Sequence, residues 1–261
     1  MRKDLEVNKS KRIGKINISN EGYEMKIIKY DNCDNIWIEF QDEYKARVHT
    51  NYKAFKKGEV KNPFHKTICD VGYVGIGKYK TRENRKNTKA YTAWINMIKR
   101  CYDPYEINRL LTYIDSYVCD KWLCFQNFAE WFYNNYYEIP NERMCVDKDI
   151  LIKGNKIYSP ETCLIVPNRI NVLFIKCDKS RGKYPIGVCF YKNKFMCQCR
   201  IYENNKQKQK YLGLYNTLEE AFCAYKQFKE NYIKQVADEY KDIIPQRLYD
   251  AMYKYEVEIN D

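Results

Sequence analysis

The sequence predicts a modular α+β fold. Short stretches between residues 25 and 49 alternate apolar and polar side chains, which is typical of half-buried strands. Two stretches in the middle of the chain carry apolar residues at helical spacing. The last third shows both patterns in succession, a strand hairpin and then an amphipathic helix. A chain of 261 residues can hold one large domain or two to three small ones, and we expect modules at 1–77, 78–176 and 177–261.

Composition narrows the classes of partner. The formal net charge is +12 and the sequence pI is about 9.0, which favours a polyanionic partner. No run reaches the length of a membrane span, and the first five residues contain no apolar signal segment. We therefore expect a cytoplasmic protein without a membrane partner. The oligomeric state is not predicted.

The twelve cysteines are expected to be reduced, structural thiols. No C-x-x-C spacing occurs, and His49 and His65 are the only histidines, so we expect no zinc site. Cys197 and Cys199 fall on the apolar side of a predicted strand, where a free cysteine behaves as a small hydrophobic residue.

The first module, residues 1–77, is expected to be a small β module. Strand patterns occur at 25–30 and 35–40, joined by a polar turn at 31–34, and a third follows near 45–49. Two roles are equally compatible with such a module: an accessory contact to nucleic acid, or a structural cap.

Residues 72–78 match the pattern G-x-x-x-x-G-K of a phosphate-binding loop. That loop requires Ser or Thr next and a helix behind it, whereas Tyr79 follows here and residues 80–86 lack an apolar helical pattern. We interpret the segment as a Gly-rich turn, followed by a basic linker to Lys89 that can touch phosphates.

Two aromatic stripes predict helices in the second module, and both are interpreted as core. The first is stopped by Asp103 and Pro104, and the second follows Trp122. The stripes consist of Tyr91, Trp94, Met97, Ile98 and Cys101, and of Phe125, Phe128, Ala129, Phe132 and Tyr136.

The segment 145–171 predicts a strand, a loop around 153–155, a second strand and a helix. It contains V-D-K-D-I at 146–150, Asn155, S-P-E-T-C-L-I-V-P at 159–167 and N-R-I-N at 168–171. This order resembles the ββα-metal motif of HNH endonucleases, which occur in phages and mobile elements. The resemblance implies the catalytic candidates Asp147, Lys148, Asn155 and Asn171. It also implies the Mg²⁺ ligands Asp147, Asp149, Glu161 and Asn171.

One departure from the motif bears on catalysis. Lys148 stands where an HNH centre has its general-base histidine, which activates water while a divalent ion stabilises the leaving oxyanion. Lysine is protonated at neutral pH unless it is buried beside other cations, so it is a poor base. We expect a degenerate centre that keeps the fold. The alternatives are an active, Mg²⁺-dependent endonuclease, or polar residues that only fix a loop and cap turns.

The third module begins with a predicted hairpin, whose turn is at residues 191–194. Strict alternation follows in the second strand. One face carries Phe195, Cys197, Cys199 and Ile201, and the other carries Met196, Gln198, Arg200 and Tyr202. From residue 179 to residue 211 there are nine Lys or Arg residues and a single acid, Glu203.

A helix is predicted to start at Thr217. Thr217 and Glu220 form the T-x-x-E capping box, in which each side chain caps the other residue's backbone. Apolar residues then recur at helical spacing and can cover the sheet. They are Leu218, Ala221, Phe222, Tyr225, Phe228 and Tyr232.

The order Gly187-Val188, basic hairpin, Y-L-G-L-Y at 211–215 and T-L-E-E-A at 217–221 resembles the DNA-binding domain of plant Apetala2/ethylene-response factors. The same domain type occurs in phage and bacterial homing endonucleases. The resemblance covers residues 183–240 and implies an antiparallel sheet packed on one helix, with duplex DNA as the ligand. Where the plant domains have arginines and a tryptophan, this chain has Cys189, Tyr191 and Phe195, so no base preference is predicted. The predicted DNA contacts are Lys183, Lys192, Lys194, Gln198, Arg200 and Lys210.

The sequence therefore predicts a sequence-preferring, duplex-DNA-binding protein of phage or mobile-element type in a bacterial host cell, with a degenerate HNH-like centre. One alternative is an active homing or nicking endonuclease. Another is a phage-encoded inhibitor that binds a host nuclease or defence complex, for which exposed tyrosines would be suited. Binding to phosphates weakens steeply with salt, whereas binding through aromatic side chains does not.

Overall fold

The computed structural model describes residues 9–109, 113–175, 183–203, 206–259 and 261. Helices alternate with several small sheets, which confirms the α+β class. The chain divides into two units, Met1–Asn134 and Asn135–Asp261. The expected division into three modules stays a prediction.

Unit 1 begins with a four-stranded antiparallel sheet in the order β1-β2-β3-β4. Met25, Ile27, Ile36 and Ile38 alternate along the two central strands and are fully buried in one core with Phe40. The predicted strands are confirmed, and β1 was not predicted. The elements are β1 (Ile16–Ile18), β2 (Glu24–Asn32), β3 (Asn35–Phe40), β4 (Arg47–Thr50) and the helix α1 (Tyr52–Lys57).

The remainder of unit 1 contains an irregular stretch at 58–81, followed by helices and short strands. The two predicted aromatic stripes lie on α2 and α5, and four of the five residues in each stripe are buried. The exceptions are Tyr91, which is half-buried, and Tyr136, which follows the end of α5. The Nε1 atom of Trp94 donates to the backbone oxygen of Trp122 at 2.7 Å. The elements are β5 (Arg82–Glu83), β6 (Lys86–Asn87), α2 (Lys89–Tyr102), α3 (Pro104–Arg109), β7 (Tyr117–Val118), α4 (Asp120–Leu123) and α5 (Phe125–Asn135).

The Gly-rich turn packs directly against α5. The buried side chain of Gln126 accepts from the backbone N–H of Tyr79 at 3.0 Å and donates to the backbone oxygen of Tyr79 at 2.9 Å. A Cβ atom on Gly77 would lie 2.3 Å from Oε1 of Gln126, and one on Gly75 would lie 2.5 Å from Sγ of Cys124. Both glycines are therefore explained by close packing, in agreement with the interpretation as a turn.

Unit 2 begins with the predicted strand–loop–strand–helix order. β8 pairs with β10 in antiparallel fashion, and a helix of four residues follows at once, continued by a 3₁₀ turn at Val172–Phe174. Val166 and Ile170 are fully buried in a core that they share with Ile233 and Val236. The elements are β8 (Met144–Asp147), β9 (Ile157–Tyr158), β10 (Leu164–Pro167) and α6 (Asn168–Asn171).

The last part of unit 2 is a three-stranded antiparallel sheet packed on one long helix. Lys192 and Asn193 form the predicted turn, with φ angles of 48° and 62° that match a two-residue hairpin loop. Strand β11 pairs with Lys194 to Cys197 of β12, so among the described strands the second half of β12 has only β13 as a neighbour. The elements are β11 (Val188–Tyr191), β12 (Lys194–Glu203), β13 (Lys206–Tyr215), α7 (Leu218–Glu239) and α8 (Gln246–Tyr253).

Helix α7 begins where the capping box predicts. Oγ1 of Thr217 accepts from the N–H of Glu220 at 3.2 Å, and Oε2 of Glu220 accepts from the N–H of Thr217 at 3.2 Å. Farther along α7, the hydroxyl of Tyr232 accepts from the N–H of Tyr202 at 2.7 Å and donates to its carbonyl at 3.4 Å. None of the helices in the described ranges combines the length and the apolarity that crossing a bilayer requires.

Candidate nucleic-acid interface

The three-stranded sheet has two chemically different faces. Cys197 and Cys199 are buried against Ala221, Phe222 and Tyr225 of α7, so this face forms the core. Burial raises the pKa of Cys197 to about 11, which keeps the thiol neutral. The neighbouring residues of β12 point away from the helix because side chains alternate along a strand. The predicted alternation is therefore confirmed, and we call the side opposite α7 the outer face.

The pairing register places a polar row on the outer face. Arg200 lies opposite Gln209, Gln198 opposite Tyr211, and Tyr202 opposite Gln207. Arg200, Gln207, Gln209 and Tyr211 are exposed. The row thus contains a guanidinium, three side-chain amides and two phenols, and it spans two adjacent strands. We call this set the outer row; it consists of Gln198, Arg200, Tyr202, Gln207, Gln209 and Tyr211.

A β-bulge sets which residues of β13 belong to this row. Cys197 pairs with Gly213 while Gln198 pairs with Tyr211, so Leu212 is an extra residue in β13. Leu212 packs against the apolar cluster under the sheet. A bulge increases local twist and redirects the side chains beyond it. As a result, Gln207, Gln209 and Tyr211 share the face of Arg200.

The lysines of β13 lie on the other face. Lys210 is opposite the buried Cys199, and its Nζ atom is 5.0 Å from the ring centroid of Phe228 on α7. Lys208 forms an ion pair with Glu203 at 2.5 Å. Lys210 was predicted to be a DNA contact together with Arg200, but the two side chains are on opposite sides of the sheet.

The other predicted contacts lie at or near the hairpin turn. Lys192 and Lys194 are exposed at the β11–β12 turn, and Lys192 lies 5.3 Å from the ring centroid of Tyr191. Lys183 is exposed upstream of β11, 5.3 Å from the ring centroid of Tyr184. Basic groups therefore flank one end of the sheet, and the outer row occupies the other.

Sequence reasoning missed Gln207, Gln209 and Tyr211. A signal for them exists, because residues 206–211 alternate as K-Q-K-Q-K-Y, which separates lysines from amides on the two faces of a strand. Which set faces outward depends on the pairing with β12 and on the bulge, and neither is encoded in the strand's own pattern.

The HNH-like segment forms a tight polar loop after β8. Oδ1 of Asp147 accepts from the N–H groups of Asp149 and Ile150, both at 2.8 Å. Burial raises the pKa of the Asp147 carboxyl above its ordinary value of 3.8, although the two backbone hydrogen bonds act in the opposite direction. This carboxyl therefore closes a turn.

Lys148 is buried within the same loop and is only 4% exposed. Its Nζ atom donates to Oδ1 of Asp149 and to the backbone oxygen of Asn155, both at 2.7 Å. The side chain of Asn155 donates in turn to the backbone oxygens of Lys148 at 2.9 Å and Ile157 at 2.7 Å. The structure thus brings Asp147, Lys148, Asp149 and Asn155 together in one hydrogen-bonded loop.

The remaining predicted ligands occupy other elements. Glu161 is exposed in the turn before β10, where its backbone oxygen accepts from Arg247, and Asn171 ends α6. Within the described ranges, no group of three or more His, Cys, Asp and Glu side chains is arranged to hold a metal ion. Lys148 already places a cation beside Asp149. The Mg²⁺ site stays a prediction, and these contacts do not favour it.

No protein-family model matches this sequence, no curated protein is significantly similar to it, and no solved structure matches its fold significantly. A function for this protein therefore has to follow from the geometry and chemistry of its own residues.

Proposed function

We propose that this protein binds duplex DNA with sequence preference, using the outer face of its three-stranded sheet. The observation that carries the proposal is the cross-strand pair of Arg200 and Gln209, with Gln198 and Gln207 beside it. The guanidinium of Arg200 and the amides of the glutamines extend from two adjacent strands on the same face of the sheet.

The chemistry of the outer row suits the edges of base pairs. An arginine can donate two hydrogen bonds to guanine, and a glutamine can both donate to and accept from adenine. A two-stranded ribbon is narrow enough to enter the major groove, which distinguishes all four base pairs. An outer row of this composition is therefore suited to direct reading of sequence.

The lysines near the hairpin turn supply the second requirement of DNA binding. Contacts to phosphates position a protein on the duplex and provide much of the affinity, without reading sequence. Lys183, Lys192 and Lys194 are exposed at the end of the sheet away from the outer row and belong to a chain with a formal charge of +12. In the proposed complex they contact the backbone while Arg200 contacts bases.

The HNH-like loop is proposed to be a degenerate centre that serves the fold. Its lysine bonds to Asp149 and to the backbone of Asn155, which fixes the loop and engages the group that would otherwise act on water. This interpretation fits a DNA-binding protein of phage or mobile-element type that has kept the scaffold without the cutting chemistry.

Fluorescence anisotropy with labelled duplexes tests the proposal. The outer variant carries Lys192→Ala, Lys194→Ala and Arg200→Ala. The matched control carries Lys206→Ala, Lys208→Ala and Lys210→Ala, which removes the same charge from the helix side of β13. We expect the outer variant to bind more weakly, and the negative slope of log K against log salt to decrease in magnitude by about 0.9 for each phosphate that is no longer bound.

The control separates a surface from a general charge effect. Equal reductions in affinity in both variants would show that net charge alone attracts the DNA. An outer variant with wild-type affinity and slope, and an intact circular dichroism spectrum, would remove this face as the DNA surface. Binding to a protein partner that is insensitive to salt would then become the better explanation.

A further inference from the structure

A cavity of about 320 Å³ lies within unit 2 and is lined in part by residues of the outer row. Leu173, Val188, Tyr225 and Lys229 contribute buried side chains to it, and Arg200, Gln207 and Gln209 contribute exposed ones. The cavity therefore has a buried floor and a polar rim. Its volume is near the lower end of the roughly 300–1,000 Å³ that is usual for small-molecule sites.

The strand pairing explains why the cavity exists. Strand β11 stops pairing with β12 at Cys197, and Gln198 instead donates its N–H to the backbone oxygen of Gly187 at 2.9 Å. Gly187 has a φ of 78°, and a Cβ atom there would lie 2.0 Å from the ring of Tyr225. The backbone thus turns away over this ring and leaves space beside the second half of β12.

The lining of the cavity has a clear chemical character. Among the described residues it contains two basic ones, Arg200 and Lys229, and three glutamines, but no Asp or Glu. Val172, Leu173 and Ile175 supply an apolar wall. Such a lining suits an anionic ligand with a flat apolar body and with hydrogen-bonding groups along its edge.

We infer that this cavity binds a single nucleotide. The apolar wall packs against the face of the base, the glutamine amides bond to its edge, and the two basic residues attract its phosphate. Nucleotides have this combination of a planar base and an anionic group. The inference deepens the proposed function and rests on it, since the nucleotide would be one drawn out of the bound DNA.

Binding of free nucleotides tests the cavity without requiring a duplex. The four deoxynucleoside monophosphates are titrated separately into the full-length protein, and binding is followed by saturation-transfer difference NMR and calorimetry. We expect saturable binding of at least one of them. Gln207→Ala with Gln209→Ala should weaken that binding about tenfold, since the variant lacks two amides that bond to the edge of the base.

Two controls make the result specific. Gln227 and Gln235 are exposed glutamines of α7 outside the cavity lining, so Gln227→Ala with Gln235→Ala should leave nucleotide binding unchanged. Inorganic phosphate is titrated in parallel. Phosphate that binds as tightly as the nucleotides would identify a plain anion site and overturn the inference, as would the absence of saturable binding for all four nucleotides.

Duplex binding by the same proteins distinguishes the two proposals. If nucleotides fail to bind while duplex anisotropy still rises, the cavity inference fails and the DNA-binding function stands. If a nucleotide binds and depends on Gln207 and Gln209 while the duplex does not bind, the cavity is a site for free nucleotides, and the duplex-binding function fails together with the source of the nucleotide in bound DNA.

Discussion

The ammonium group of Lys148 lies 2.7 Å from a carboxylate oxygen of Asp149, its neighbour in the chain. The same group donates to the backbone oxygen of Asn155, seven residues away. A buried lysine therefore joins the two sides of the loop. Lys148, which the HNH resemblance aligns with a general base, thus already donates to two acceptors that the loop itself provides.

The first prediction concerns cleavage. Supercoiled plasmid incubated with the pure protein and Mg²⁺ or Mn²⁺ should show little or no nicking on an agarose gel, because Lys148, which the HNH resemblance aligns with the general base, already donates to Asp149 and to the backbone of Asn155. Metal-dependent nicking that is abolished by Asp147→Ala or Asn171→Ala would contradict this and favour the endonuclease alternative.

Lys148→His tests whether a histidine at this position introduces nuclease activity. If the predicted Mg²⁺ ligands are intact, this variant should gain metal-dependent nicking, since histidine can act as a base near neutral pH. Circular dichroism is needed as a control, because the substitution also removes the two hydrogen bonds made by Nζ.

The second prediction separates the acceptor role of Asp147 from its charge. Asp147→Ala leaves two backbone N–H groups without their acceptor, so we expect a decrease of about 1–3 kcal/mol in the free energy of unfolding. Asp147→Asn keeps an acceptor oxygen at the same place and should be much less destabilised at neutral pH. Urea unfolding of the three proteins measures the difference, and equal decreases would contradict the acceptor role.

The difference in stability between the wild type and Asp147→Asn should change with pH in a defined direction. The pKa of Asp147 is raised above 3.8 in the folded state by burial, so the folded protein binds this proton more tightly than the unfolded chain does. The stability that the protonated carboxyl contributes is fully present below the unfolded pKa and is lost as pH rises through the folded pKa. Across this interval the wild type should lose stability relative to Asp147→Asn. If the free energy of unfolding of the wild type instead increased relative to that of Asp147→Asn as the pH rises, the raised pKa of Asp147 would be contradicted.

The third prediction concerns the start of α7. Thr217→Ala removes the hydroxyl that accepts from the N–H of Glu220, and we expect a decrease of about 1 kcal/mol in the free energy of unfolding. Glu220→Gln keeps an oxygen that can accept from the N–H of Thr217, so its effect should be smaller. Urea unfolding followed by circular dichroism compares the two, and an unchanged Thr217→Ala midpoint would mean that water replaces the cap.

The fourth prediction tests the packing of the Gly-rich turn. Gly77→Ala places a Cβ atom 2.3 Å from Oε1 of Gln126, so it should destabilise the protein by about 1–3 kcal/mol. Gln126→Ala removes both hydrogen bonds to the backbone of Tyr79. In the double variant the clash is gone, so its destabilisation should be smaller than the sum of the two single effects. Additive effects in thermal unfolding would show that the two residues do not interact.

Local patterns predicted much of this fold from the sequence. The strands at 25–30 and 35–40 follow from alternation over several residues, and the start of α7 follows from two side chains three positions apart. The turn at Lys192 and Asn193 likewise depends only on its own residues. Each of these features is determined by neighbours in the chain, so each could be predicted without knowledge of the tertiary structure.

Features that depend on distant partners could not be predicted in the same way. The outer position of Gln209 requires the bulge at Leu212, and the burial of Lys148 requires the loop to return at Asn155. Strand β1 has only three residues, too few to establish an alternating pattern. The residues of the candidate site on β12 could therefore be predicted, because apolar and polar side chains alternate over a long stretch there. The residues on β13 were predicted only incompletely.

The hydrogen bonds between the hydroxyl of Tyr232 and the backbone of Tyr202 have a consequence for self-association. Beyond the end of β11, the open side of β12 would offer unpaired backbone groups to a strand from another molecule, which is how exposed sheet edges promote aggregation. Tyr232 occupies both the N–H and the carbonyl of Tyr202 on that side. One phenol from the covering helix thus satisfies the backbone groups of a residue that an incoming strand would otherwise pair with.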